Sequence, residues 1–499
     1  MKSSLAQPPT AFRIPPLFNP KPVYRATAHP APRMTGAGVF GCRPGSPVSI
    51  FLRATGEQPL RWSAEGLPEG IALDADTGEL SGRLDRPGTF NLAVRVRNVF
   101  GGDERTVQLK IGPKIALTPP TGWNSWNCWG KHVDDAKIRA AARGMVETGL
   151  IHHGWTYINI DDGWQGERCP TTGALRPNEK FPDMKGLCDY VHGLGLKIGI
   201  YSTPWRTSYA GFTGGASGEP AGPEGKFGTR SHHAEDVRQF AEWGFDYLKY
   251  DWFPNDVEHT EIISRELRSC GRDIILSLSN SAPIEHAADW SRLAECWRTT
   301  GDIHDCWITP PNPQPWEHSV TEIGFAQDDW ASFAGPGHWN DADMLVVGML
   351  GWGTELRDSR LTFAEQRSHV SLWCLLASPL LLGCDLTKLD GQTLSLLTND
   401  EVLAVDQDAA GVQGRLVGRE DGIDVIGRPL ADGGWAIGVF NRGDVAAEVG
   451  LPKVLQALPE PKRGGPVRDL WQRRWLSPAE VAGCLVIGRH DVAMLKIER

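Results

Sequence analysis

Four stretches of this chain run from apolar residues straight into carboxylates. They are Tyr157 to Asp162 (YINIDD), Phe245 to Asp251 (FDYLKYD), Cys296 to Asp302 with Asp305 just beyond (CWRTTGDIHD), and His338 to Asp343 (HWNDAD). None has the spacing of a metal site, so the acids themselves are expected to do the chemistry, and no metal or cofactor is called for. Hydrolysis of a glycosidic bond is the commonest reaction of this kind. Its transition state is positive at the anomeric carbon. One carboxylate must therefore stay ionised beneath that carbon while another delivers a proton to the leaving oxygen. Asp251 suits the first role: Lys249 stands two residues before it, on the same strand face, and its charge is expected to hold the Asp251 pKa low. Asp302 and Asp305 are equally placed for the second role. Asp246 and Asp341 read as ordinary caps or loop acids.

Acids at strand ends need a scaffold that gathers those ends on one face. From 114 to 404, apolar runs alternate with helical stretches such as Asp134 to Thr148 and His233 to Trp243, the grammar of βα units. Strands are expected to end near Trp126, Asp161, Tyr201, Asp251, Ser279, Arg298, Asn340 and Ser378. Eight such ends over about 280 residues predict a (β/α)8 TIM barrel, whose reacting groups project from the C-terminal ends of its strands. The Gly-rich segment from Pro204 to Gly228 is too long for a simple βα loop and is expected to overhang the site.

Around this barrel the pattern differs. Residues 1–35 are rich in Pro and Ala and read as a poorly structured arm. Residues 36–113 alternate apolar and polar positions, with Phe90, Leu92, Val94 and Val96 on one face and turn signals at Asp76-Thr77-Gly78 and Pro87-Gly88, which predicts a small antiparallel β-sandwich. Residues 405–499 return to strand patterns and read as a C-terminal antiparallel β domain.

Composition narrows the partner. A net charge of −10 and a pI near 5.8 argue against nucleic acid and anionic membranes, both of which need clustered Lys and Arg, and favour a neutral ligand. Tryptophan is abundant, 20 against 7 tyrosines, and flat indoles suit stacking on sugar faces, although most fill cores. Trp126 fits either use and Trp339 fits the core. The ten cysteines contain no CxxC pair, which leaves room for one or two disulfides. His232-His233 reads as a solvated helix start. Gly193-Leu-Gly195-Leu-Lys-Ile-Gly199 precedes a strand, the wrong order for a dinucleotide loop. No apolar run is long enough to span a membrane, and the N-terminal residues lack a signal-peptide core, so the reading is a soluble chain, cytoplasmic or exported without its leader. Compartment and oligomeric state stay open.

Taken in order, PPTGWNSWN, YINIDDGWQ, KIGIYS, YLKYD, WRTTGDI and GHWNDADML resemble the successive strand-end motifs of the α-galactosidase family, glycoside hydrolase family 27 of clan D. The resemblance runs from about residue 118 to 499. It implies a retaining hydrolase of terminal α-linked galactose, with a C-terminal antiparallel β-sandwich after the barrel. On the matching positions it implies Asp251 as nucleophile and Asp302 as acid/base, leaving Asp305 to loop structure. Lys249 and Arg298 would contact the substrate, Asp161 and Asp162 would clasp the axial O4 and the O6, and Trp126, Tyr201 and Asp343 would line the pocket. The segment GLPEGIALDADTGELSGRLDRPGTFNLAVRVRN resembles Ig-like modules found beside bacterial carbohydrate-active enzymes.

Two departures matter. Ser277-Leu-Ser279-Asn280-Ser281-Ala282-Pro283 stands where animal and plant members carry a Cys-containing loop that contacts the C2 substituent, so selectivity at C2 is open and Ser279 becomes the candidate contact there. Asp-Asp-Gly-Trp replaces Asp-Asp-Cys-Trp, which removes one disulfide partner. Alternative activities on the same scaffold are α-N-acetylgalactosaminidase, β-L-arabinopyranosidase and isomaltodextranase. A non-catalytic carbohydrate-binding protein would have no use for both Asp251 and Asp302. A retaining mechanism places their carboxyl groups roughly 5 to 5.5 Å apart.

Overall fold

The computed structural model describes residues 29–458 and 465–499. At its centre is an eight-stranded parallel sheet: β1 (Thr121–Asn124), β2 (Tyr157–Asn159), β3 (Lys197–Ser202), β4 (Tyr247–Asp251), β5 (Ile275–Ser279), β6 (Cys296–Arg298), β7 (Trp339–Asp341) and β8 (Leu380–Leu382). Neighbours pair in the order 7-6-5-4-3-2-1-8, and a parallel bridge from Leu345 to Leu382 closes the sheet on itself. The strands are covered on both faces: every residue of Ile275–Ser279 is buried, Ser277 and Ser279 included. The expected ends agree for β3, β4, β5 and β6. The first strand stops at Asn124, because the Asn124 side chain accepts from the Trp126 amide and a short helix (Trp126–Trp129) begins. The eighth lies after Ser378, because the helix Phe363–Leu376 runs almost up to it.

That helix is buried nearly all round, its polar residues Glu365, Arg367, Ser368 and His369 included. It seats the C-terminal domain, in which a six-stranded antiparallel sheet includes Ile423–Pro429, Trp435–Asn441 and Val492–Ile497. Arg367 on the helix pairs with Asp491, both fully buried, and Ser368 donates to the His490 carbonyl at 2.7 Å.

At the other end, two facing sheets of four and three strands enclose a core of Leu80, Leu92, Val94, Val96, Val107 and Leu109. Phe90 is only partly buried, and Val39–Cys42 pairs parallel to Gly101–Ile111, so the sandwich is not wholly antiparallel. Of the expected N-terminal arm, residues 1–28 lie outside the described residues, while Arg33–Thr35 is a strand paired with Arg53–Thr55. This sandwich sits under the N-terminal ends of the barrel strands. Thr35 donates to the His152 carbonyl before β2, Arg53 to the Gly195 carbonyl before β3, and Arg43 to Asp273 before β5 and to Glu295 before β6 at 2.8 Å.

Candidate active site

Parallel register decides which side chains share the opposite, C-terminal mouth. Tyr201 stands level with Lys249, Asp251 with Ser279, and Arg298 with Asp341. Side chains alternate along each strand, so Tyr201, Lys249, Asp251, Ser279 and Arg298 converge on one cavity of about 740 Å³. Its lining contains every residue expected from the sequence: Trp126, Asp161, Asp162, Tyr201, Lys249, Asp251, Ser279, Arg298, Asp302 and Asp343. Five carboxylates there face one lysine and one arginine, a balance suited to a ligand that becomes positive as it reacts.

Asp251 lies at the floor, 5% exposed. The Tyr201 hydroxyl donates to its Oδ2 at 2.9 Å, and Asn280 Nδ2 donates to its Oδ1 at 2.6 Å. Here one expectation is corrected. Burial, opposed by Lys249 but reinforced by Asp161 and Asp302, pushes the Asp251 carboxyl up to about 7. Lys249 does not spend its hydrogen bond on Asp251; its Nζ bonds Asp161 Oδ2 at 2.8 Å. Loss of water around a fully buried carboxylate outweighs a cation already committed to another acid. The charge that burial disfavours in the free protein is the one that a cationic transition state would neutralise.

Asp161 and Asp162 are both buried and line the cavity, their carboxylates held by fixed partners. Asp161 also accepts from the Asp162 amide, while Asp162 accepts from Gln165 Nε2 at 3.1 Å and from the Ala210 amide at 2.9 Å. Burial raises the Asp162 pKa. Between them and Trp164, Gly163 adopts φ +117, a conformation that favours glycine.

The two candidates for the acid have different surroundings. The Asp302 side chain is 41% exposed in the cavity wall, with Arg298 Nη2 at 3.3 Å. The Asp305 side chain is wholly buried outside the cavity, clamped by the guanidinium groups of Arg357 and Arg360 and by the Arg360 amide. Although burial opposes it, those hydrogen bonds hold its pKa below the ordinary carboxylate value. Only Asp302 is free to reach a ligand. Asp343, held at φ +76, accepts from the Ile303 and Met344 amides and pairs with Arg298 at 2.7 Å. It thereby ties Arg298 to the segment that carries Asp302.

Several lining residues had no signal strong enough to single them out. Asn280 lies in the loop already marked as divergent, but only the φ of +68 at this residue turns its amide onto Asp251. Tyr209 comes from the long segment after β3, which folds into the hairpin Ala216–Ala221 and Phe227–Ser231 and does reach the cavity. Phe253, His304, Trp316, His318 and Trp352 complete the walls. Trp339 is core, its indole donating to the Ala116 carbonyl at 2.8 Å. His232 and His233 are buried rather than solvated, packed under the hairpin with Ser217 and Ser231. The ten cysteines are all unpaired, and among the described residues no helix is long and apolar enough to cross a membrane.

A family profile described as "Alpha galactosidase A" matches residues 118–408, one for the "Alpha galactosidase C-terminal beta sandwich domain" matches 420–497, and one named "Putative Ig domain" matches 35–112. Alpha-galactosidase 2 of Arabidopsis thaliana is 38% identical over 426 residues, covering 82% of this chain and 96% of that one. A solved structure titled "a putative alpha-galactosidase" from Bacteroides fragilis superposes with a TM-score of 0.85 at 30% identity, covering 95% of this chain and 98% of that chain. A β-L-arabinopyranosidase from Geobacillus stearothermophilus, solved with arabinose, has a TM-score of 0.63 at 29% identity, covering 77% of this chain and 97% of that one.

Proposed function

This chain belongs to the α-galactosidase family of glycosyl hydrolases, and from that premise we propose that it releases terminal α-linked galactose by a retaining double displacement in which Asp251 is the nucleophile and Asp302 the acid/base. The observation that carries the reading is the pairing of a buried, doubly hydrogen-bonded Asp251 with a half-exposed Asp302 in one cavity. In the first step an Asp251 oxygen bonds to the anomeric carbon as the bond to the leaving oxygen breaks, and the Asp302 proton passes to that oxygen. In the second, Asp302 takes a proton from water, the water oxygen attacks the same carbon, and Asp251 is released as carboxylate. Two inversions leave the first-formed sugar in the α configuration.

Asp161 and Asp162 support the choice of sugar. An axial O4 can add a donor to a carboxylate held in place by Lys249, whereas an equatorial O4 forgoes that further hydrogen bond to a buried group. A second reading, hydrolysis of β-L-arabinopyranosides, rests on the likeness to the Geobacillus enzyme; that sugar keeps the ring hydroxyl arrangement of galactose and lacks the hydroxymethyl group. A panel of nitrophenyl glycosides, with proton NMR of the first product, tests both. The α-galactoside should be cleaved fastest, with the α-anomer appearing first. Equal rates on α-galactoside and α-glucoside would overturn the role of Asp161 and Asp162, and a β-anomer formed first would overturn the retaining mechanism.

A further inference from the structure

Five large aromatic side chains are exposed among the described residues, and three of them, Tyr209, Phe253 and Trp316, line the one cavity that holds Asp251 and Asp302. By contrast nine tryptophans are fully buried, so an indole left 55% exposed at 316 needs a reason. Its position supplies one. The short strand Asp302–Ile303 pairs with Glu317–His318, and the Asp302 amide donates to the Trp316 carbonyl at 2.8 Å. The proline-rich stretch from Thr309 to Pro315 thus folds back and delivers Trp316 beside the candidate acid. His318 follows on the same segment, and beside it His304, whose amide donates to the His318 carbonyl at 2.8 Å and whose ring stacks on Trp352 with centroids 5.2 Å apart, also lines the cavity.

Whatever leaves the anomeric carbon must leave on the side where its oxygen receives a proton. We infer that Trp316 is the platform of a leaving-group subsite that takes a second pyranose ring, stacked on the indole face, with His304 and His318 offering polar contacts to its hydroxyls. The inference rests on the assignment of Asp302 as acid. A flat, rigid, exposed indole beside polar side chains matches the apolar face and hydroxyl rim of a sugar ring. Trp316 is here a binding residue for the departing sugar, with no part in the chemical step.

The test compares two donors, the disaccharide melibiose, whose leaving group is glucose, and α-galactosyl fluoride, whose leaving group has no ring. Trp316→Ala should lower kcat/KM for melibiose by about tenfold or more while leaving galactosyl fluoride within about twofold, and Trp316→Phe should recover part of the loss. Equal losses on both donors would make Trp316 a support for the Asp302 segment and overturn the subsite. No loss on either would overturn it as well. Wild-type protein inert towards galactosyl fluoride would instead overturn the proposed activity, and the subsite with it.

Discussion

Strand β4 is flanked by one buried aspartate and closed by another, and the two have opposite electrostatics. Asp246, just before the strand, is held down at about 2: burial opposes its charge, but a hydrogen bond from His192 and the charges of Lys197 and Arg272 prevail. Asp251, at the strand's end, is pushed up to about 7 by burial, with Lys249 engaged by Asp161. The same residue type at the two mouths of one barrel is thus satisfied in one place and left wanting in the other. Glu295, also at the closed end, shares the hydrogen bonding but not the low pKa: it takes Arg43 from the neighbouring sandwich and the Leu276 amide, yet burial still raises its pKa. The closed mouth holds the fold together, and the open mouth keeps charge uncompensated for a ligand to complete.

Substitutions at the two ends should therefore fail differently. The largest effect is expected from Asp251→Asn, which should lower turnover of an α-galactoside by roughly 10⁴-fold or more, because no covalent intermediate can form. Wild-type rates in a clean preparation would remove Asp251 from the mechanism. Asp302→Asn should cost about 10²- to 10⁴-fold on melibiose and much less on galactosyl fluoride, whose leaving group needs no proton. If both donors lose equally, Asp302 is not the acid.

At the closed mouth, Asp246→Asn should leave kcat unchanged and destabilise the protein by about 2 kcal/mol, a value reduced by the partial exposure of Arg272 and His192. A matching fall in kcat per folded molecule would show that the two ends are coupled. The smallest and most diagnostic effect is the pH dependence of melting. Asp246, with its folded pKa depressed, stabilises the fold above its unfolded value near 4, and that contribution is lost as pH falls towards about 2. Asp251, with its folded pKa raised, costs the fold nothing below about 4 and progressively more as pH rises to about 7. Asp251→Asn should accordingly melt above wild type at pH 8, by roughly 2 °C or more, with the gap closing on acidification. The Asp246→Asn deficit should instead shrink only in strong acid. Parallel curves for the two variants would erase the distinction between the mouths.

Much of this was legible in local pattern. The period of two along Tyr247–Asp251 places Lys249 and Asp251 on one face before any fold is known, and the recurrence of apolar runs closing on polar residues is enough to predict a barrel with its acids at one mouth. The choice between Asp302 and Asp305 was not legible from residue types, because it depends on arginines 52 and 55 positions further along that close over Asp305. Nor could Lys249 be seen to prefer Asp161, which is 88 residues away in sequence and adjacent in space.

The sequence by itself determined the alphabet and order of the site: which carboxylates close which strands, and which family's motifs they match. Tertiary structure decided what each carboxylate experiences. Periodicity acts over a few residues and survives in any context, but desolvation and partner geometry are properties of the packed whole. Asp246 and Asp251 lie five positions apart, one just before a strand and one at its end, and the closure of the barrel, with His192 and Arg272 at one end and a cavity at the other, separates their roles.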